Sequence, residues 1–397
     1  MKLKVLVTLN DMRVGGSQTY VVSLINELKA RGHTAFVASG KGEMVRDLEK
    51  IDVKHHEVNF SALSFRVNHF RYGRRQLKIF LRALRFPFVL IALIIQILNV
   101  VKKERINIIH TMQPGPILVS SFVSKVTGVP LVATVHAPFS HEFPLHGFKM
   151  LGFKMLGIVS RIKKIIAGSQ ETRQHLISNC GVSKKKIVVV PNGIDLEVFR
   201  PSVHKRGLKR KEILYVSGGY HFSSVTSLIN ATPEIAQRIH DVKVVIVGRG
   251  PEFDEVIKLA KRMNNRLGNK TIIVAGTQPN DVMPKIMSSA DVVISVGRSA
   301  LEAMACGKSV IIAGKTGFGG ILTENNITQL KMYNFSGRNS SERTTSTRIA
   351  ESVLKLLTSE KYRESSGSLG RQIIEKEFDV RKVAGQIEDV YLSAIRV

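Results

Sequence analysis

Four glycine-containing segments carry the first sign of chemistry: Arg13-Val14-Gly15-Gly16-Ser17, Ser217-Gly218-Gly219-Tyr220, Gly248-Arg249-Gly250-Pro251 and Gly297-Arg298-Ser299. Each follows a short apolar run. Glycine lets the backbone approach a ligand closely, and a helix that starts beyond such a turn presents unpaired amides to a phosphate. One such turn says little, because glycine after a strand usually marks the turn alone. Four in equivalent places predict an anion-binding surface. Arg249 and Arg298 lie within these segments, and a guanidinium can grip phosphate oxygens two at a time. Glu302 stands three residues after Ser299, a Ser-x-x-Glu spacing that would equally serve as a capping box at a helix start. His136 and, more weakly, His110 sit at the ends of apolar runs, where a lone histidine is more often structural than catalytic. No serine triad, zinc spacing or Walker loop is present, and no Gly-x-Gly-x-x-Gly opens the first helix, so a cofactor-dependent dehydrogenase is unsupported.

The elements that must position these residues alternate. Val5 to Leu9 reads as a strand, Ser17 to Arg31 as a helix and His33 to Ala38 as a second strand, the pattern of parallel βαβ units. Further strands are expected at Ile108 to Thr111, Leu131 to His136, Lys164 to Ala167 and Ile187 to Val190. After a polar, basic stretch from Pro201 to Lys211 a second series follows, at Glu212 to Ser217, Lys243 to Val247, Thr271 to Ala275, Asp291 to Ser295 and Ser309 to Ala313. Phe378 to Val397 has the spacing of a terminal amphipathic helix. The expected class is α/β, and ligands of such open sheets bind beyond the carboxyl ends of the strands, where the glycine segments fall.

The chain has 397 residues, enough for two or three domains, and its 44% hydrophobic content excludes disorder along most of its length. Lysine and arginine number 59 against 31 acids, for a formal charge of +28, so anionic partners are expected. Nucleic acid is not among them, since no helix-turn-helix, zinc or RRM-like signature occurs. Two cysteines, Cys180 and Cys306, suit a reducing compartment and no disulfide framework. The first nine residues read as a strand and not as a secretory signal.

The charge has a centre. Residues 61–105 hold ten basic residues and one acid, Glu104, with phenylalanines 65, 70, 80, 86 and 88 between them. A second basic patch, Lys149, Lys154, Arg161, Lys163 and Lys164, includes the repeat Gly-Phe-Lys-Met-Leu at 147–151 and 152–156. The sixteen apolar-rich residues from Phe86 to Val101 fall short of the roughly 20 needed to span a bilayer. A basic face with exposed apolar residues settles at an anionic membrane surface, and Arg71, Arg74, Arg75, Lys78, Arg82 and Arg85 are the candidate contacts. A buried helix over 86–101 with solvated flanks is the alternative.

Several segments together resemble a known family. Gly15-Gly16-Ser17 with Arg31-Gly32-His33, Thr134-Val135-His136, Gly168-Ser169-Gln170-Glu171-Thr172, Val190-Pro191-Asn192-Gly193-Ile194-Asp195 and Leu301-Glu302-Ala303-Met304-Ala305-Cys306-Gly307-Lys308 are similar to retaining, nucleotide-sugar-dependent glycosyltransferases of the GT-B fold, family 4-like, the group that includes bacterial polysaccharide and glycolipid enzymes. The resemblance implies two Rossmann-like domains facing each other across a cleft, with acceptor bound by the first and donor by the second. The corresponding ranges are 1–200, 201–377 and a C-terminal helix, 378–397, that crosses back to the first domain. It also implies transfer of a hexose-like sugar with retention, without metal or other cofactor, to a glycan or lipid-linked acceptor. The matching location is cytoplasmic, peripheral to the inner face of the membrane, in cell-envelope polysaccharide biosynthesis. No Asp-x-Asp pair occurs, so the usual carboxylate ligands for a diphosphate-bridging metal are missing.

By the same resemblance Gly15, Gly16, Gly218, Gly219, Arg249, Arg298, Ser299, Leu301 and Glu302 form the candidate donor site, with Glu302 on the ribose hydroxyls. His136, Arg249 and Arg298 are the candidate catalytic residues. Two positions depart from the pattern. The family's carboxylate eight residues before Glu302 is Ile294 here, and its arginine and lysine after the first donor-domain strand are replaced by Gly218 and Ser223. Arg249 and Arg298 are the expected substitutes, and a GT-B protein that binds without catalysing is the rival reading.

Overall fold

A computed structural model describes residues 1–63, 72–138, 157–202, 210–217 and 222–396, the side chains of 72–84 excepted. The chain divides into two compact units, Met1–Pro191 with Ala384–Val397, and Asn192–Val383. Each is built on one sheet. In the first unit seven parallel strands lie in the order β3-β2-β1-β4-β5-β6-β7, with β1 at Lys4–Asp11, β2 at Thr34–Gly40, β3 at Lys54–Glu57, β4 at Ile108–Met112, β5 at Leu131–Val135, β6 at Lys164–Ala167 and β7 at Ile187–Val189. In the second, β8 at Lys211–Val216, β9 at Val242–Val247, β10 at Ile272–Gly276, β11 at Val292–Ser295, β12 at Ser309–Ala313 and β13 at Phe318–Ile321 lie in the order β10-β9-β8-β11-β12-β13. Only β13 is antiparallel to its neighbour.

Helices cover the sheets, so the central strands are buried on both faces and read as nearly continuous apolar runs. Val5, Leu6, Val7 and Leu9 of β1 are all fully buried, as are Val292, Val293 and Ile294 of β11. The expected strands are found with end shifts of a residue or two. The two that sequence patterning missed lie at sheet edges: β3 reads Lys-His-His-Glu and β13 Phe-Gly-Gly-Ile, neither of which alternates.

The division between units falls at Pro191/Asn192, earlier than the expected 200/201, and the second lies at Val383/Ala384. The physical reason for the first shift is burial: Ile194, Leu196 and Phe199 pack into the core of the second unit. The terminal helix runs Val380–Ile395. Its residues from Ala384 belong to the first unit, where Glu388 meets Arg31 and His33 at 3.2 Å each.

The Asn-Gly-Ile-Asp segment is stitched to the start of that helix. Ile194 donates its amide to the Phe378 carbonyl at 2.7 Å and accepts from the Val380 amide at 2.9 Å. Gly193 is needed there because a Cβ would stand 2.8 Å from the Val380 Cα.

The apolar stretch at 86–101 belongs to a longer helix, Tyr72–Glu104. Its Arg85–Glu104 part is long and apolar enough to cross a membrane by length and composition. One face is already used: Leu93, Ile97, Val100 and Val101 are buried in the first unit's core. The buried-helix alternative therefore describes that face alone.

Gly193→Ala tests the stitch. Alanine stiffens the unfolded chain, worth about 0.4–1 kcal/mol in its favour, but overpacking against backbone costs about 1–3 kcal/mol. The clash should win, and urea unfolding should show a net loss of roughly 1 kcal/mol or more.

Candidate active site

In an open parallel sheet the crevice forms where strand order reverses, since successive crossovers leave in opposite directions there. The first unit reverses around β1, between β2 and β4. The Gly15-Gly16 turn lies at that edge: Gly15 is extended, and no side chain caps the Gly16–Ala30 helix. Its first-turn amides are therefore open to a ligand. Arg13 bonds the Asp11 carboxylate at 2.7 Å, which raises the guanidinium's pKa.

The same edge holds a residue that sequence reasoning missed. Gln113 directly follows β4 with φ 74°, a conformation rare outside glycine, and its side-chain oxygen accepts the Asn10 amide at 2.8 Å. Such a conformation is costly and persists only where the surrounding structure enforces it. The available signal was a glutamine directly before Pro114-Gly115-Pro116 at the end of a strand.

His136 follows β5, half-buried, with its ring edge-on to Tyr20 at 5.6 Å between centroids. His110 does not face a cleft as expected. It is wholly buried, with Nδ1 2.7 Å from the Tyr391 hydroxyl and Nε2 2.6 Å from the Thr134 hydroxyl. Burial, reinforced by His136, pushes its pKa down to about 3, so the ring is neutral and joins the terminal helix to the sheet.

The second unit reverses around β8, between β9 and β11. Gly218 and Gly219 lie outside the described residues. Beyond β11, Gly297 turns with φ 58° into the Arg298–Ala305 helix, and no side chain caps it. The capping box is thus not formed. With Ser299 at the cap the helix would begin at Ala300; it begins two residues earlier, at Arg298, which makes Ser299 its second residue. Leu301 is fully buried in the core, so only its backbone remains for a ligand, and Ile294 is likewise core.

Arg298 requires a correction. It is not a free clamp: its side chain is 6% exposed, and its Nε bonds Glu302 Oε1 at 2.8 Å while Nη1 bonds the Gly193 carbonyl at 2.9 Å. Glu302 is 9% exposed; burial pushes its carboxyl pKa up and Arg298 opposes the rise. Arg249, at the end of β9, is exposed and lies over the Phe253 ring at 4.6 Å, so of the two arginines it alone remains accessible to a phosphate. Among the candidate membrane contacts, Arg71 lies outside the described residues. Arg74, Arg75, Lys78 and Arg82 lie on the Tyr72–Glu104 helix with side chains outside the description, and Arg85 is exposed.

Two family models match in tandem, Glycosyltransferase Family 4 over residues 14–198 and Glycosyl transferases group 1 over residues 200–373. The chain belongs to the GT-B glycosyltransferases. Similar curated proteins include N-acetyl-alpha-D-glucosaminyl L-malate synthase of Bacillus anthracis, 23% identical, covering 100% of this chain and 98% of that protein. Another is phosphatidyl-myo-inositol mannosyltransferase of Mycobacterium tuberculosis, 24% identical over 72% of this chain and 73% of the relative. Among solved structures, Anabaena HepE in complex with UDP-glucose superposes with a TM-score of 0.72 at 18% identity, covering 98% of this chain and 100% of that one. That likeness is one of fold, and the GT-B architecture matches the two sheets described above.

This GT-B chain should show the buried histidine in its acid stability. A histidine with a depressed folded pKa contributes stability that is present above its unfolded value of about 6.5 and lost as pH falls from there toward about 3. Wild-type unfolding free energy should therefore decline between pH 6.5 and 4 by up to roughly 1 kcal/mol per pH unit more than that of His110→Gln. Urea titrations of both proteins across that range measure the difference in slope.

Proposed function

We propose that the protein transfers a sugar from a nucleotide-sugar donor to a glycan or lipid-linked acceptor, with retention of configuration and without a metal ion. The observation that carries this reading is the uncapped Arg298–Ala305 helix at the reversal point of the second sheet, with Glu302 one turn inside it. A helix N-terminus stabilises a diphosphate through open amides and its dipole, and a carboxylate accepts hydrogen bonds from ribose hydroxyls. The leaving diphosphate gains charge as the glycosidic bond breaks. Preorganised amides and the exposed Arg249 at the end of β9 would oppose that charge, so the protein's task is positioning and electrostatics. Acceptor attack on the face that the leaving group vacates then gives retention. The mannosyltransferase and malate-synthase names of the relatives support sugar transfer, and the HepE complex supports a nucleotide-sugar donor.

The location we propose is the inner face of the cytoplasmic membrane, in cell-envelope polysaccharide synthesis. On the Tyr72–Glu104 helix Phe88, Ile91 and Ile95 are 75%, 55% and 51% exposed. Their spacing puts them on one face, opposite the buried Leu93 and Ile97. Residues 1–200 carry 30 basic and 12 acidic residues, so this apolar ridge sits on a strongly basic unit. Apolar burial and attraction to anionic lipid then act together.

Two measurements test these readings. Thermal shifts against nucleotide sugars should rise by the equivalent of about 2.7 kcal/mol at a hundred times the dissociation constant, turnover should survive EDTA, and the product anomer should match the donor's. No binding and no turnover across a broad donor panel would leave the non-catalytic binder. In flotation, the protein should rise with anionic vesicles and not with neutral ones, and release as salt shortens the Debye length from about 10 Å to about 3 Å. Replacing Phe88, Ile91 and Ile95 together by serine should abolish flotation while nucleotide binding persists.

A further inference from the structure

A cation in the first turn of a helix is on the wrong end of the dipole, where its charge meets the positive partial charge of the open amides. Arg298 occupies that place and is buried as well. Something must compensate, and the structure names it: Glu302, four residues on and on the same helix face, at 2.8 Å. The guanidinium also reaches the Gly193 carbonyl at 2.9 Å, in the segment whose neighbour Ile194 is hydrogen-bonded to Phe378 and Val380. Its Nη2 is buried and has no hydrogen-bond partner among the described residues, so its two N–H groups are not satisfied by them.

We propose that Arg298 is a positioning residue for the donor: it keeps the Glu302 carboxylate ionised, and therefore able to accept from two hydroxyls, and it fixes that carboxylate against the Gly193 backbone. The proposal rests on the donor-site reading above and replaces the diphosphate-clamp role first expected of this arginine. A carboxylate buried alone favours its protonated form, which must donate one hydrogen and so loses acceptor capacity. Burial does push the Glu302 carboxyl upward, and Arg298 is the group that pulls it back.

Other ionisable groups face the pair from the elements packed around it. Cys306, on the next turn, has its thiol pushed up to about 11. On the packed Glu360–Ile373 helix, Arg371 is held by Glu375 and the Ala305 carbonyl, and Arg363 by Glu360 with Asp291 at 4.0 Å. Lys361 and Glu364 complete the charged groups of that helix, Lys376 and Glu377 those of the turn after it, and Lys285 is the one charge on the Met283–Ser289 helix. Strands β11 and β12 contribute none. Glu302 is the carboxyl that the loss of Arg298 would leave buried without its counter-charge.

The test is nucleotide affinity against pH for the full chain, with UDP, GDP and ADP as probes. Arg298→Met should weaken binding of the accepted nucleotide by about tenfold at pH 6.5, with most of the loss recovered by pH 9, while the wild type stays flat. Arg298→Gln keeps a polar side chain and removes the charge, so it carries the same test if the methionine variant does not fold. Arg298→Lys retains the charge and should keep a flat profile. In a Glu302→Gln background, removing Arg298 should add no pH dependence. A loss in the neutral variants that is equal at every pH would overturn the positioning role and leave a structural one, with the donor site itself intact. If the wild type binds none of the three nucleotides, the donor-site reading and this proposal fall together.

Discussion

The reversal of strand order around β1 and around β8 is the constraint on which the remaining geometry depends. Parallel strands send every connection out at the carboxyl edge, and at the reversal point neighbouring connections diverge and leave a crevice. Helix N-termini therefore collect there without any special instruction. The Gly16–Ala30 and Arg298–Ala305 helices start at these points without a side-chain cap, and uncapped amides there can meet an anion.

Burial acts on two polar clusters with opposite results. His110 is enclosed with neutral partners, so desolvation wins and the ring remains uncharged, which suits a brace between the terminal helix and the sheet. Arg298 and Glu302 are enclosed together, and each is the other's compensation. A buried pair of this kind is a weak source of stability, since desolvation offsets most of its attraction, but removing one partner is expensive. Its retention at a helix start makes better sense for what it does to the carboxylate than for stability.

The Tyr72–Glu104 helix shows a third balance. Composition marks its second half as apolar almost throughout, yet the core needs only one face, and Phe88, Ile91 and Ile95 are left outside. Exposed apolar residues in such a ridge are costly in water, and the anionic surface proposed above would cover them and match the basic composition of the same unit.

Much of this was legible in the residues themselves. Apolar runs separated by glycine turns are dictated by burial on both faces of a parallel sheet, so the strands of both series and the placing of the glycine loops at their ends could be read directly. The edge strands β3 and β13 could not, because an edge strand needs no apolar alternation. Gln113 left only its place before Pro114-Gly115-Pro116 as a signal, since its positive φ is not written in its residue type. The Ser-x-x-Glu spacing fitted a capping box, and Arg298 fitted a phosphate clamp, until the helix was found to start at Arg298. With Gly297 at the cap position, Arg298 is the first helical residue, and Glu302, four residues on, lies on the same helix face. Sequence spacing thus determined which groups share the turn, and only the tertiary packing against Gly193 decided that the arginine looks inward to Glu302, because burial leaves a charge no stable place except beside its counter-charge.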